Sequence, residues 1–80
     1  MTAKDAVAVR LQDICTRRSI RINELANISG VTPSTVYSLL DTRRRDVSVT
    51  TVKKLCDGLD MTLGEFFAAP VFDELEQEIQ

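Results

Sequence analysis

Arg43, Arg44 and Arg45 form an unbroken run in a chain of 80 residues that carries ten Lys and Arg in all. A guanidinium stays charged at any physiological pH and meets phosphate oxygens with a planar fork of N–H donors, so the chemistry on offer is contact with anions. A charge run also serves as plain solvated surface, so its neighbours decide. Just upstream stand Pro33, Ser34, Thr35, Tyr37 and Ser38. Hydroxyls donate to or accept from base edges with little selectivity, while Pro33, the Thr35 methyl and the Tyr37 ring suit thymine methyls. The set lacks the bidentate Arg–guanine and Asn–adenine pairings, worth ~1–3 kcal/mol of discrimination each. Direct reading of bases is therefore expected to be modest and supplemented by DNA shape; the bland alternative is a solvated helix face. Asn23 and Thr32, each near the start of a helix, are candidate phosphate donors together with the three arginines, because free amides there favour anions. The chain has no His, no glycine pattern that cradles phosphate and no cluster of metal ligands. Asp5 and Glu65 are accounted for as helix caps, so an enzyme, a cofactor or a metal site is not expected.

The elements that must hold these residues are legible as a packing skeleton. Leu25, Ala26, Gly30, Val31, Val36 and Leu39 have the spacing of two short helices crossed steeply. Ala26 lets the second helix lie close, and Gly30 supplies a left-handed turn. Val36 and Leu39 lie about one turn apart on the inner face. This is helix-turn-helix geometry, expected over about 22–41, and it projects its second helix outward. Thr32-Pro33 opens that helix, with Thr32 as cap and Pro33 where an amide is dispensable.

Three further helices surround the pair. Thr2 and Asp5 form a capping box for a helix running to about Arg18, with Val7, Leu11 and Ile14 inward. The helix from Ile22 to Ser29 starts at Arg21, a weak cap. Ser48 caps a helix with Val49, Val52, Leu55, Cys56 and Leu59 on one face, in which Gly58 costs up to ~1 kcal/mol relative to Ala. Asp60 takes a turn, and Thr62 with Glu65 opens a last short helix with Leu63, Phe66 and Phe67 inward. After Pro70, the residues Val71, Phe72, Leu75 and Ile79 make an apolar stripe on an acidic segment, a possible sixth helix. The expected fold is all-α and compact, with a domain over 1–69 and an acidic amphipathic tail over 70–80.

Eighty residues support one small core. The net charge of −2 conceals a division: residues 1–56 carry +5, and residues 57–80, with seven acids and no base, carry −7. The basic portion can face phosphates while the tail is held away from them. Cys15 and Cys56 sit among aliphatic residues and are expected to be reduced core thiols. No apolar run approaches the ~20 residues needed to span a bilayer, and no secretory signal is visible, so a cytoplasmic location is expected.

With this order of elements, the segments INELANISGVTPSTVYSLL and DTRRRDVSVTTVKKLCDGLDMTLGEFF resemble the Cro/phage-repressor type of helix-turn-helix domain, the xenobiotic-response-element family. The similarity covers about Val9 to Phe67. It implies a lambda-repressor-like fold and places base-reading positions at Ser34, Tyr37 and Ser38, with Pro33 at the leading edge. Departures are Ser29 where the family often has an aliphatic residue, Ile22 for a phosphate-holding Gln, and Asp41-Thr42 for Asn-Gly. Cys15 and Leu40 together replace a buried Arg–Glu pair, so neither leaves an unpaired charge.

The resemblance implies sequence-specific binding of double-stranded DNA by a small transcriptional regulator, a repressor occupying an operator as a homodimer. One alternative is the DNA-binding antitoxin of a toxin pair, whose tail binds a protein partner. Another is a protein-interaction module that has lost DNA binding. The tail stripe itself has two readings, completing the core or joining a symmetry mate.

Overall fold

The computed structural model describes residues 1–79, in which five α-helices and no strand occur: α1 Ala3–Arg18, α2 Ile22–Ser29, α3 Pro33–Leu40, α4 Val49–Gly58 and α5 Leu63–Phe67. Four of the five begin on a hydroxyl side chain. Thr2, Thr32, Ser48 and Thr62 accept the N–H of the residue three positions on at 3.1, 3.4, 2.9 and 3.0 Å. Both anticipated capping boxes close, with the Asp5 carboxylate accepting the Thr2 N–H and the Glu65 carboxylate accepting the Thr62 N–H. These bonds hold the Asp5 and Glu65 carboxyls below the usual carboxylate range. α2 is the exception. Arg21 offers no acceptor, and the Glu24 carboxylate reaches back to the Arg21 N–H at 3.4 Å.

α2 packs on α3 and α4, and α1 packs on α3, around a core that includes Leu11, Leu25, Ala26, Val36, Leu39, Val52, Leu55 and Phe66. Gly30 ends α2 at φ 69°, with the Val31 N–H bonded to the Ala26 carbonyl at 3.1 Å. Asp60 adopts φ 56° as expected, and Ser19 does so at the end of α1. Cys15 and Cys56 are free and buried, and burial pushes both thiols up, away from the reactive thiolate.

Several expectations need correction. No α-helix follows α5 among the described residues; a 3-10 turn over Pro70–Phe72 takes the place of a sixth helix. Phe72 nonetheless completes an aromatic cluster, 6.1 Å from Phe66 and 4.9 Å from Phe67 between ring centroids. Ile79, at the far end of the tail stripe, is exposed, and Gln80 lies outside the described residues. Val49 does not join the buried face of α4 and is 73% exposed, because it stands at the helix's first position, ahead of the turn that meets the core. Phe67 is 42% exposed.

Gly58 is not a mere weak point in α4. A Cβ there would sit 2.2 Å from Ser29 Oγ and 2.9 Å from Ser29 Cα, so α2 and α4 approach each other closely at this pair of small residues. That close approach explains Ser29 where an aliphatic side chain was expected. Three cations close helix ends. Lys4, only 3% exposed, donates to the Asp41 carbonyl at the end of α3. Arg10 donates to the Phe66 and Glu65 carbonyls at 2.8 and 3.0 Å, and Arg18 donates to the Leu59 carbonyl. Such cations satisfy terminal carbonyls and oppose the negative end of the helix dipole.

Candidate nucleic-acid interface

α3 turns Val36 and Leu39 into the core, which leaves Pro33, Ser34 and Tyr37 exposed and Thr35 and Ser38 half-buried at its flank. Thr32 organises the leading edge. Its hydroxyl caps α3 and also bonds Ser34 Oγ and Thr35 Oγ1, each at 3.0 Å. The hydroxyls of Ser34 and Thr35 are thereby pre-oriented at the tip of the helix, and Thr32 itself is engaged in the cap.

The three arginines are not equivalent. Arg43 is folded back on Asp41, with Nε and Nη2 donating to the two carboxylate oxygens at 3.1 and 3.0 Å and its backbone N–H adding a bond at 3.0 Å. These bonds push the Asp41 carboxyl down to about 2 and the guanidinium up. Arg44 lies on the other side of the loop. It borders a shallow groove of about 240 Å³ with Thr35 and Ser38 of α3 and with Ser48 and Thr51 at the start of α4. Arg45 borders a separate groove, with Val47 and Val49 and with the N-terminal part of α1.

Arg44 is therefore the arginine that the fold brings beside the outer flank of α3. Ser48 and Thr51, bonded to each other at 2.9 Å, add hydroxyls and the amides of a second helix start to the same groove. Thr51 escaped the sequence reading; its signal was its place three residues after a capping serine. Asn23 and Tyr37 border a third and larger groove of about 820 Å³ together with Arg21, which puts the start of α2 beside the reading helix. Among the described residues, Arg21, Arg44, Arg45 and Lys54 are the cations whose side chains make neither an ion pair nor a hydrogen bond.

The arrangement is a protruding helix flanked by two polar helix starts and unpaired cations, which fits a groove of duplex DNA with phosphates on either side. The sequence model for the Cro/C1-type helix-turn-helix DNA-binding domain matches residues 10–70. The chain belongs to that family. A solved structure, the crystal structure of the prophage Lp1 protein 11, superposes on this Cro/C1-type chain with a TM-score of 0.82 at 28% identity, covering 94% of this chain and 99% of that one. No curated protein matches the chain in sequence. Among the described residues, no helix of this Cro/C1-type domain is long and apolar enough to cross a membrane, and no group of three metal-ligating side chains is assembled.

Proposed function

We propose that this Cro/C1-type protein is a small transcriptional regulator, a repressor that occupies an operator as a dimer. Membership of a DNA-binding domain family supports the binding itself. The observation that carries the residue-level reading is the groove in which Arg44, Ser48 and Thr51 face the Thr35–Ser38 flank of α3. In this reading Pro33, Ser34, Thr35, Tyr37 and Ser38 touch base edges, and Arg44 holds the adjacent phosphate. Arg45, Asn23 and Thr32 add backbone contacts, and Arg43 contributes while tethered to Asp41. With hydroxyls and one aromatic ring as the reading set, discrimination comes largely from the shape of the duplex and the spacing of two half-sites.

Fluorescence anisotropy with a labelled duplex over a salt series tests this. Affinity should fall steeply with salt, and Arg44→Ala should reduce the slope of log K against log salt by about one contact's worth. An unchanged slope removes Arg44 from the phosphate contacts. No binding at low salt would favour a protein-interaction module instead.

A further inference from the structure

Thr32, Ser34 and Thr35 share one set of hydrogen bonds at the tip of α3, and its protons can be counted. Thr32 Oγ1 accepts the Thr35 N–H at 3.4 Å and stands 3.0 Å from both Ser34 Oγ and Thr35 Oγ1. A hydroxyl has one proton to give and two lone pairs to fill. The amide takes one lone pair of Thr32 Oγ1, which leaves one lone pair and one proton for two neighbouring hydroxyls. Thr32 therefore donates to one of them and accepts from the other. The hydroxyl that receives the Thr32 proton keeps its own to give away. The one that donates to Thr32 is left an acceptor.

The surroundings of the two hydroxyls break this symmetry. Thr35 borders the groove of Arg44, Ser48 and Thr51, whereas Ser34 is exposed on the outer face of α3. The unesterified oxygens of a DNA phosphate carry no proton, so toward Thr35 they only accept. We propose that the phosphate held beside Arg44 fixes the direction of this relay and makes Ser34 a reader of amino groups. Thr35 donates to the phosphate, Thr32 donates to Thr35, and Ser34 donates to Thr32. Thr32 Oγ1 is then saturated, so Thr32 meets the DNA backbone only through its main chain. Ser34 keeps two lone pairs and no proton for the base edge in front of it. In the major groove the donors are the N6 amino group of adenine and the N4 amino group of cytosine, while guanine N7 and O6 and thymine O4 only accept. Ser34 thus takes adenine or cytosine and refuses guanine or thymine, a selectivity that an isolated serine lacks. This role for Ser34 rests on the reading of α3 as the base-facing helix, and it makes Thr32 a positioning residue that acts through Ser34.

Selection from a pool of duplexes randomised over about 20 base pairs, enough for two half-sites one turn apart, tests the relay by sequencing. Wild type should enrich duplexes in which one position of each half-site favours both adenine and cytosine about fivefold over guanine and thymine, the ~1 kcal/mol of one hydrogen bond. Ser34→Ala should abolish that preference and leave the other positions as they were. Thr35→Val keeps the shape and removes the hydroxyl, so Thr32 can donate to Ser34 instead. It should weaken binding to all duplexes and also cut the preference at the Ser34 position below about twofold. Both variants keep the Thr32 cap, so circular dichroism should be unchanged. A Thr35→Val protein that binds more weakly with its adenine–cytosine preference intact overturns the relay, since a plain phosphate contact acts on all sequences alike. A Ser34 position that tolerates all four bases, or that favours guanine or thymine, overturns it while DNA binding stands. A pool from which nothing is enriched removes the base-facing reading of α3, and the relay with it.

Discussion

Asp41 serves the arginine loop with two different atoms. Its carbonyl accepts from buried Lys4 and from the Arg44 N–H at 3.1 Å, while its carboxylate holds Arg43 in a bidentate pair. The loop therefore leaves α3 along a path fixed as far as the Arg44 backbone. Arg43 is 89% exposed although Asp41 is half-buried, so the pair is better regarded as a positioning device than as a source of stability. Its pH dependence follows from the depressed carboxyl. Because the folded value of about 2 lies below the ordinary one, the pair is fully formed above pH ~4 and lost as pH falls through about 2. A carboxyl-detected NMR titration should give Asp41 a midpoint of about 2 in wild type, moving toward ~3.9 in Arg43→Ala. An ordinary midpoint in wild type would show that Arg43 is free to reach phosphate as readily as Arg44.

The contact of α2 with α4 is decided by a pair of small residues 29 positions apart. Ser29 Oγ is buried there without a hydrogen-bond partner, which costs about 1–3 kcal/mol of desolvation. Ser29→Ala should therefore stabilise the fold by ~0.5–1.5 kcal/mol in urea denaturation. Gly58→Ala should destabilise it: the helix gains ~0.8–1 kcal/mol of propensity, but the new Cβ meets the Ser29 backbone at 2.9–3.0 Å, and overpacking costs ~1–3 kcal/mol. A stabilised Gly58→Ala would mean that α2 and α4 separate easily. Helix starts, by contrast, were readable at once. Capping is local, and Thr2, Thr32, Ser48 and Thr62 each act within three residues. Gly30 and Asp60 were readable for the same reason. What one sequence could not show was contact across the chain. Lys4 at the end of α3 and Arg10 at the end of α5 use cations that looked like surface charge, and the bends around Asp41 send the three arginines to three places. Tail periodicity favoured a sixth helix, yet Phe72 docks on the aromatic cluster from a single 3-10 turn.

Across the whole molecule, charge is divided less cleanly than its sequence order implies. The tail does not stay wholly apart from the basic portion, since Glu78 returns to the start of α1 and shares a groove with Arg45. Glu74 and Glu76 are exposed and border none of the grooves that hold Arg21, Arg44 or Arg45. These two kinds of acid should act on DNA binding over different ranges. The protein measures 37 × 24 × 20 Å, so at ~0.01 M salt, where the Debye length is ~30 Å, every tail charge is felt at the interface. Near 0.15 M the length falls to ~8 Å and only a neighbour of Arg45 still counts. Glu74→Gln with Glu76→Gln should therefore raise affinity for duplex at ~0.01 M salt and leave it unchanged near 0.15 M. Glu78→Gln should raise it under both conditions, at chain concentrations too low for self-association. Anisotropy titrations of the three proteins at both salt concentrations decide the matter. A Glu78 effect that vanishes near 0.15 M would place Arg45 away from the phosphates and leave Arg44 to hold the DNA.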